Sequence, residues 1–482
     1  MLVIGVLNVL AVLISVATSL VLARMLPKAE LGKLVYFYAS FGLLRLLMNF
    51  GLGTAISRDV AASQASAASW ADVASHADEG PHLGSKNLPA IIYSTAALRV
   101  TSIVCAAALM SWTSRAIGLP FWAHVTLAAV MASMADFSFG IIAGLLSRWR
   151  VGVMTILQPV SYLGLIVGLA AVTQPTSEGV MGIYVASYAI MATVGILLVA
   201  ATGLLRLPER SDLQFAHVRQ TTAFAFPVYL TGVASQAWSA LATGTLGWLR
   251  LFAASAELGI AFSIATIPVA VSGPTILTMF FPRASCLSGQ GHVDELGTEI
   301  RAMLKWLVLG LIWVSVVLFA FAEPIVTTFF GQAYAPAARY LVVMSPLALI
   351  LGALPVFTLS LVAVGRPWRA LAGLIAQGVV LAATLLTAGG ALTPARLSWS
   401  LLLSGLTGLV VQWSLVTLTL RAQMLPSKLL LPLLGGLSAA MILRLGAIWA
   451  GTRLSPYHLA LMTTFTVVYS VAVVGRGNPH GG

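Results

Sequence analysis

Three ionisable side chains stand in the middle of long apolar segments of this sequence, where a charge is expensive. They are Arg45, Arg99 and Asp136, and a charged group at the bilayer centre costs roughly 2.5–3.5 kcal/mol on insertion scales. At about 1.5 Å of helix rise per residue, all three lie on the order of 14–18 Å from the membrane surface, close to mid-bilayer. We therefore expect them to lie near one another inside the protein.

Arg45 is the sharpest candidate for binding. With Gly42, Asn49 and Gly53 it forms a stripe of small and polar residues within about 80° of helix arc. A guanidinium stays protonated and can bind two phosphate oxygens at once, so this stripe fits a wall that meets an anionic headgroup. The alternative is a buried ion pair between Arg45 and Asp136 that only fastens helices together.

For Arg99 and Asp136 a structural ion pair is the favoured interpretation. An uncompensated carboxylate at this depth would tend to take up a proton. A role for Asp136 in proton coupling therefore stays open.

Composition decides what kind of element positions these groups. Of the 482 residues, 59% are hydrophobic and 8% charged, against about 25% charged in soluble proteins. Apolar runs close to the ~20 residues needed to cross a bilayer recur along the chain, and such spans must be helical because unpaired peptide groups are too costly in hydrocarbon. The sequence predicts an all-α polytopic membrane protein. Its fourteen predicted spans are 2–22, 34–57, 90–112, 123–146, 151–173, 180–202, 223–245, 258–281, 303–322, 339–363, 369–389, 397–420, 429–449 and 457–475.

The distribution of Lys and Arg predicts the orientation. With the N-terminus inside, 15 of these residues fall in cytoplasmic segments and eight in external loops, so both termini should face the cytoplasm. The formal charge of +12 is then explained by contact with anionic lipid headgroups rather than nucleic acid.

An internal repeat predicts two lobes. Each copy begins with an Arg and continues with a Glu-Leu-Gly triplet, whose Gly lies eight or nine residues after that Arg. A second Arg follows at the end of the next span. The copies are Arg24, Glu30 to Gly32 and Arg58, then Arg250, Glu257 to Gly259 and Arg283. Six spans separate them, which predicts two pseudo-symmetric six-helix lobes around a central cavity, 1–222 and 223–420, plus a helix pair and cytoplasmic tail at 421–482. Such lobes suit a transporter that works by alternating access.

Three stretches resemble a known family. They are LARMLPKAELGKLVYFYASFGLLRLLMNFGLGTAISRDVA (22–61), AELGIAFSIATIPVAVSGPTILTMFFPRASCL (256–287) and FGQAYAPAARYLVVMSPLALILG (330–352). The sequence resembles Wzx-type polysaccharide flippases of the multidrug/oligosaccharidyl-lipid/polysaccharide (MOP) exporter superfamily over most of its length. The resemblance implies movement of an undecaprenyl-diphosphate-linked glycan to the outer leaflet of a bacterial inner membrane, next to polysaccharide polymerase machinery.

The resemblance also implies basic residues around a central cavity. Arg24, Arg58 and Arg283 fall on the matching motifs, and the repeat adds Arg250. Many family members carry an acidic residue in the seventh helix, whereas this sequence has Gln236 and Thr243 there. That departure puts cation coupling through this helix in doubt.

The sequence contains no constellation typical of catalysis. Its seven histidines have no metal-ligand spacing, and no Walker A motif is present, so we predict neither an enzyme nor a cofactor. Two alternatives to the flippase are a cation-coupled multidrug exporter of the same superfamily and a membrane polysaccharide polymerase or ligase. The exporter would ordinarily place carboxylates in its cavity, and only Asp136 qualifies; the polymerase or ligase would carry a large external loop.

Overall fold

The computed structural model describes residues 2–53, 56–57, 60, 88–117, 121–145, 147–203, 215–276, 280–281, 284, 287–288, 292–388, 392–420 and 443. Throughout these residues the regular structure is helical, which confirms the all-α prediction. The first seven helices are α1 (Leu2–Met25), α2 (Lys28–Asn49), α3 (Leu88–Ile117), α4 (Trp122–Gly144), α5 (Arg148–Val172), α6 (Ser177–Ala200) and α7 (Phe215–Trp248). The next seven are α8 (Phe252–Thr275), α9 (Val293–Ala320), α10 (Ala322–Phe330), α11 (Ala337–Met344), α12 (Leu347–Ala363), α13 (Pro367–Ala388) and α14 (Pro394–Leu420).

Each of the first twelve predicted spans falls on a helix. Within the described residues, ten helices are long and apolar enough to cross a membrane. An eleventh span is the pair α11 and α12, which bend by 42° where they meet; Pro346 at that junction has no N–H to continue the helix ladder. The predicted spans 429–449 and 457–475 lie outside the described residues, apart from Leu443.

Large apolar side chains of these helices are exposed, while one charged side chain is fully buried. Large side chains such as Leu13, Leu109 and Leu197 are 57%, 53% and 62% exposed, whereas Arg99 is 1% exposed. A water-soluble protein would bury the first set and expose the second. The chain is a multi-pass membrane protein whose outer faces meet lipid.

The described helices fall into two compact units. The first unit contains α1, α2 from Lys33 onward, α3 to α6, and α7 as far as Thr245. The second contains the remaining helices together with the short segment Pro27–Gly32, which includes the first turn of α2. Packing thus groups most of α7 with the first six helices; the lobe boundaries predicted from the repeat, 1–222 and 223–420, stay a prediction.

In the first unit, α4 carries Asp136. It packs against α6, and α1 packs against α5. Small residues allow this: a Cβ added at Gly140 would lie 2.8 Å from the Gly53 carbonyl oxygen, and one at Gly195 would lie 2.8 Å from the Ser138 Cβ. Close backbone approach of this kind is how membrane helices gain packing energy.

The predicted second span, 34–57, is not one continuous helix. Helix α2 begins at Lys28, directly after Pro27, and ends at Asn49. Phe50 and Gly51 follow with φ of 48° and 68°, which turns the chain before helical residues resume at Leu52. The prediction of one unbroken helical span was therefore wrong at this point. The left-handed backbone conformation is costly for a phenylalanine.

Gly140 offers a direct test of the packing between α4 and the chain after α2. Gly140→Ala should lower stability by roughly 1–3 kcal/mol, because its new Cβ meets the backbone oxygen of Gly53 and that oxygen cannot rotate away. Thermal unfolding of the purified protein in detergent measures the effect. The matched control is Gly164→Ala on α5, where an added Cβ has nothing within 4 Å; equal destabilisation by both variants would contradict this packing.

Candidate functional site

The site in the first unit is built on one carboxylate. Arg45 on α2 donates from Nε to Asp136 Oδ2 at 2.9 Å and from Nη2 to Asp136 Oδ1 at 2.6 Å. The side chain of Asp136 is 16% exposed and that of Arg45 is 34% exposed. This side-by-side arrangement is the strongest form of Arg–carboxylate pairing.

Asn49 lies one helical turn after Arg45 and bonds the same carboxylate. Its Nδ2 donates to Asp136 Oδ2 at 3.2 Å, while its Oδ1 accepts from the Gly53 N–H at 3.3 Å. Arg99 Nη1 also donates to this Oδ1. The Asn49 amide is therefore held from both ends, and it connects the two arginines through one side chain.

Arg99 on α3 is buried at the end of α2. Its Nη1 donates to the Asn49 carbonyl oxygen at 2.6 Å and its Nη2 to the Ser133 carbonyl oxygen at 2.8 Å. The sequence favoured an ion pair of Arg99 with Asp136, but the structure gives that carboxylate to Arg45 and directs Arg99 to backbone oxygens. Asp136 and Arg99 still attract each other over a longer distance.

An aromatic wall surrounds the Arg45 guanidinium. Arg45 Nη1 donates to the Tyr188 hydroxyl at 3.1 Å, and its Cζ lies 5.5 Å and 5.9 Å from the ring centres of Tyr188 and Phe41. Tyr184 contacts both rings edge-on, with its ring centre 5.1 Å from that of Phe41 and 5.2 Å from that of Tyr188. Cation–π contacts of this kind favour a planar cation at a fixed position.

The sequence reasoning missed this wall. Tyr184 and Tyr188 are spaced by four on α6, as are Phe37 and Phe41 on α2, so each pair shares one helix face. The Tyr38 hydroxyl extends the wall by a hydrogen bond to the Tyr162 hydroxyl on α5. Spacing alone cannot tell such pairs from lipid-facing aromatics, since both lie on one side of a helix.

The arrangement leaves donors on Arg45 for a further ligand. A guanidinium has five N–H groups, and the described residues accept from three of them, two at Asp136 and one at Tyr188. Within this part of the chain, one N–H of each terminal nitrogen keeps no protein partner. Two guanidinium groups stand against one carboxylate, so the described cluster carries a net charge of about +1 and attracts anions.

The structure describes two of the four other arginines that were predicted as site residues, and both are exposed. Arg24 is exposed in the last turn of α1. Arg250 is exposed at the junction of α7 and α8, with a φ of 58°. Arg58 and Arg283 lie outside the described residues.

A second ion pair, which the sequence did not predict, lies in the second unit. Lys28 Nζ donates to Glu257 Oε1 at 2.7 Å and lies 5.7 Å from the Tyr334 ring centre. Burial, and then the Glu257 carboxylate, raises the pKa of the Tyr334 hydroxyl. Gly32 permits this contact, because a Cβ there would overlap the Phe252 carbonyl. One residue of each Glu-Leu-Gly triplet, Gly32 and Glu257, thus lies where the start of α2 packs against α8.

The Arg45–Asp136 pair should show strong coupling in stability. Removing one partner of a buried pair costs on the order of 3–5 kcal/mol, and we expect less here because Arg45 is partly exposed. Asp136→Leu should be the worse single change, since it leaves two guanidinium groups without a carboxylate. The double variant Arg45→Leu/Asp136→Leu should recover much of the loss.

Thermal unfolding of the two single variants and the double variant measures this coupling. Asp294→Asn is the matched control, because Asp294 is exposed in the first turn of α9 and should change little. Additive losses in the double variant would contradict the pairing.

Comparison with known proteins places the fold. No family model matches the sequence, and no curated protein matches it. The structure is similar to the lipid II flippase MurJ in its inward closed conformation, with a TM-score of 0.69 at 10% identity over 98% of each chain. It is also similar to a mutant of the MATE transporter VcmN of Vibrio cholerae, with a TM-score of 0.62 at 14% identity over 87% of this chain and 95% of that one.

A third similar structure is the inward-facing conformation of a multidrug resistance MATE family transporter of the MOP superfamily. Its TM-score is 0.60 at 13% identity, over 86% of this chain and 95% of that one. These likenesses extend well beyond either unit alone. The chain therefore has the helical fold that MurJ and the MATE transporters of the MOP superfamily share.

Proposed function

We propose that this chain is a flippase. It moves a polyprenyl-diphosphate-linked oligosaccharide from the inner to the outer leaflet of a bacterial inner membrane by alternating access. This function rests on one observation: two arginines and one aspartate share a site inside the first unit, and the more exposed arginine keeps two N–H groups for an anion. A diphosphate is the part of such a cargo that this site would bind.

The physical argument is charge balance in a medium that solvates ions poorly. A cluster of charge about +1 attracts phosphate and repels a cationic drug, since electrostatic interactions are poorly screened away from water. The planar fork of Arg45 can hold two phosphate oxygens while its other edge stays on Asp136. Asp136 then orients the arginine rather than competing for the cargo.

The fold comparison supports the lipid-linked cargo without deciding it. One similar structure is that of a lipid II flippase, and the similarity covers 98% of this chain. Within the proposal, Arg24 and Arg250 contact the diphosphate near one membrane face and Arg58 and Arg283 near the other. Both termini face the cytoplasm, anionic lipids bind the basic loops, and polysaccharide polymerase machinery takes the product.

The second candidate is a cation-coupled multidrug exporter. The structural similarity to MATE transporters favours it. Such a protein would need acidic groups facing its cargo, and in the described first unit Asp136 is already bonded by Arg45 and Asn49. A cationic drug binding at this site would speak for the exporter.

The double variant Arg45→Leu/Asp136→Leu separates binding from fastening. If Arg45 binds phosphate, the double variant should insert and fold yet fail to restore surface polysaccharide in a strain that lacks this protein. Lipid-linked oligosaccharide should then accumulate on the inner leaflet. Arg45→Lys should restore part of the activity, because an ammonium keeps the charge but not the fork.

Binding of undecaprenyl diphosphate to the purified protein, followed by native mass spectrometry, gives the matching direct measurement. The double variant loses an Arg–phosphate hydrogen bond of about 1.5–3 kcal/mol, so it should bind undecaprenyl diphosphate roughly 10- to 100-fold more weakly than wild type. Undecaprenol, which lacks phosphate, is the control and should bind wild type and variant alike. If the double variant restored surface polysaccharide, the Arg45–Asp136 pair would have only a structural role, holding α2 and α4 together.

A further inference from the structure

Helix α2 ends at Asn49, beside Arg99 of α3 and Asp136 of α4. After Asn49 the left-handed residues Phe50 and Gly51 break the helix. The last carbonyls of a helix have no helical donors, and another group must supply donors to those that lie inside the protein. Something on a neighbouring helix has to do so.

Two side chains of α3 supply the missing donors. Ser102 Oγ donates to the Met48 carbonyl oxygen at 2.6 Å, and Arg99 Nη1 donates to the Asn49 carbonyl oxygen at 2.6 Å. Arg99 brings a full positive charge to this end, where the helix dipole is negative. The break is therefore stabilised by a cation that belongs to the protein.

The oxygens around Arg99 form a hard ligand set. They are the Asn49 carbonyl and Oδ1 atoms and the Ser133 carbonyl, which Arg99 bonds directly. The Asp136 carboxylate stands beside them, since Asn49 bonds it as well. Carbonyl, amide and carboxylate oxygens are what alkali and alkaline-earth cations prefer, and broken helix ends in transporters coordinate Na⁺ in this way.

We propose that Arg99 is a built-in cation that permanently occupies a sodium-type site at the broken end of α2. The guanidinium does there what a coupling ion does elsewhere: it binds the carbonyls and places a positive charge near Asp136, whose own ion pair is with Arg45. It cannot leave, so the first unit needs no Na⁺ to hold the break and position Arg45, one turn upstream. This inference holds for any cargo and is independent of the proposed function.

Removing the guanidinium should convert the site into a real sodium site. Arg99→Ala leaves the Asn49 and Ser133 oxygens around a space with no cation, while Asp136 stays connected to it through Asn49. In detergent, the full-length variant should unfold at a lower temperature than wild type in choline chloride. NaCl at equal ionic strength should raise that temperature by several degrees, with a saturable dependence on Na⁺ concentration.

The controls isolate the charge and the carboxylate. Wild type and Arg99→Lys should unfold at the same temperature in both salts, because each carries its own cation. Arg396→Ala, which removes an exposed arginine on α14, should also show no Na⁺ response. Adding Asp136→Asn to Arg99→Ala should abolish the response.

Arg99→Gln covers the case in which Arg99→Ala is too unstable to purify. Its amide keeps a donor for the Asn49 carbonyl but carries no charge, so it should fold and respond to Na⁺. Recovery of either variant only when NaCl is present during purification would also support the proposal. Wild type stabilised by Na⁺ as strongly as the variants, folded variants indifferent to Na⁺, or variants that fail to fold in either salt would each overturn it.

Discussion

The packing of the first unit depends on the hydrogen bonds and the ion pair that satisfy the Asp136 carboxylate inside the membrane. A carboxylate at that depth must be neutralised or bonded, and both of its oxygens are used by α2, through Arg45 and Asn49. Because these two residues are one turn apart, the carboxylate fixes the rotation of α2 as well as its distance from α4. Gly140, one turn after Asp136, lets the backbones come close enough for those bonds to form.

The helical fold was largely predictable from the sequence, because hydropathy is summed over each whole segment. Apolar runs of span length set the helices, and an error of a few residues at an end does not change the number of crossings. The break after Asn49 was not predictable, since Phe50 favours helix or strand as much as any apolar residue and hydropathy averages across it. Likewise, the sequence identified Arg99 as buried, but a side chain that bonds backbone carbonyls leaves no pattern of partner residue types.

The site shows the same limit. The stripe of Gly42, Arg45, Asn49 and Gly53 was predicted from helix periodicity, and Arg45 and Asn49 do meet at one carboxylate. Including Gly53 was wrong, because the helix ends at Asn49 and Gly53 follows the break. Gly42 lies against Gln236 of α7, so part of that stripe serves packing. Which arginine takes Asp136 is decided by how α2 and α3 are rotated, and that depends on side chains throughout both helices.

A fold shared by a lipid II flippase and by multidrug MATE transporters cannot by itself name a cargo, so the choice rests on local charge. The aromatic wall sharpens that choice. Tyr188 and Phe41 lie against the Arg45 guanidinium and Tyr188 accepts one of its N–H groups, so the cation is held before any ligand arrives. A flexible ammonium would lose more conformational freedom on binding, whereas a fixed planar fork is already oriented for an anion such as the proposed diphosphate. Rigidity around one cation, with a second locked at the helix break, is the arrangement expected where an anion must be bound and released inside a membrane.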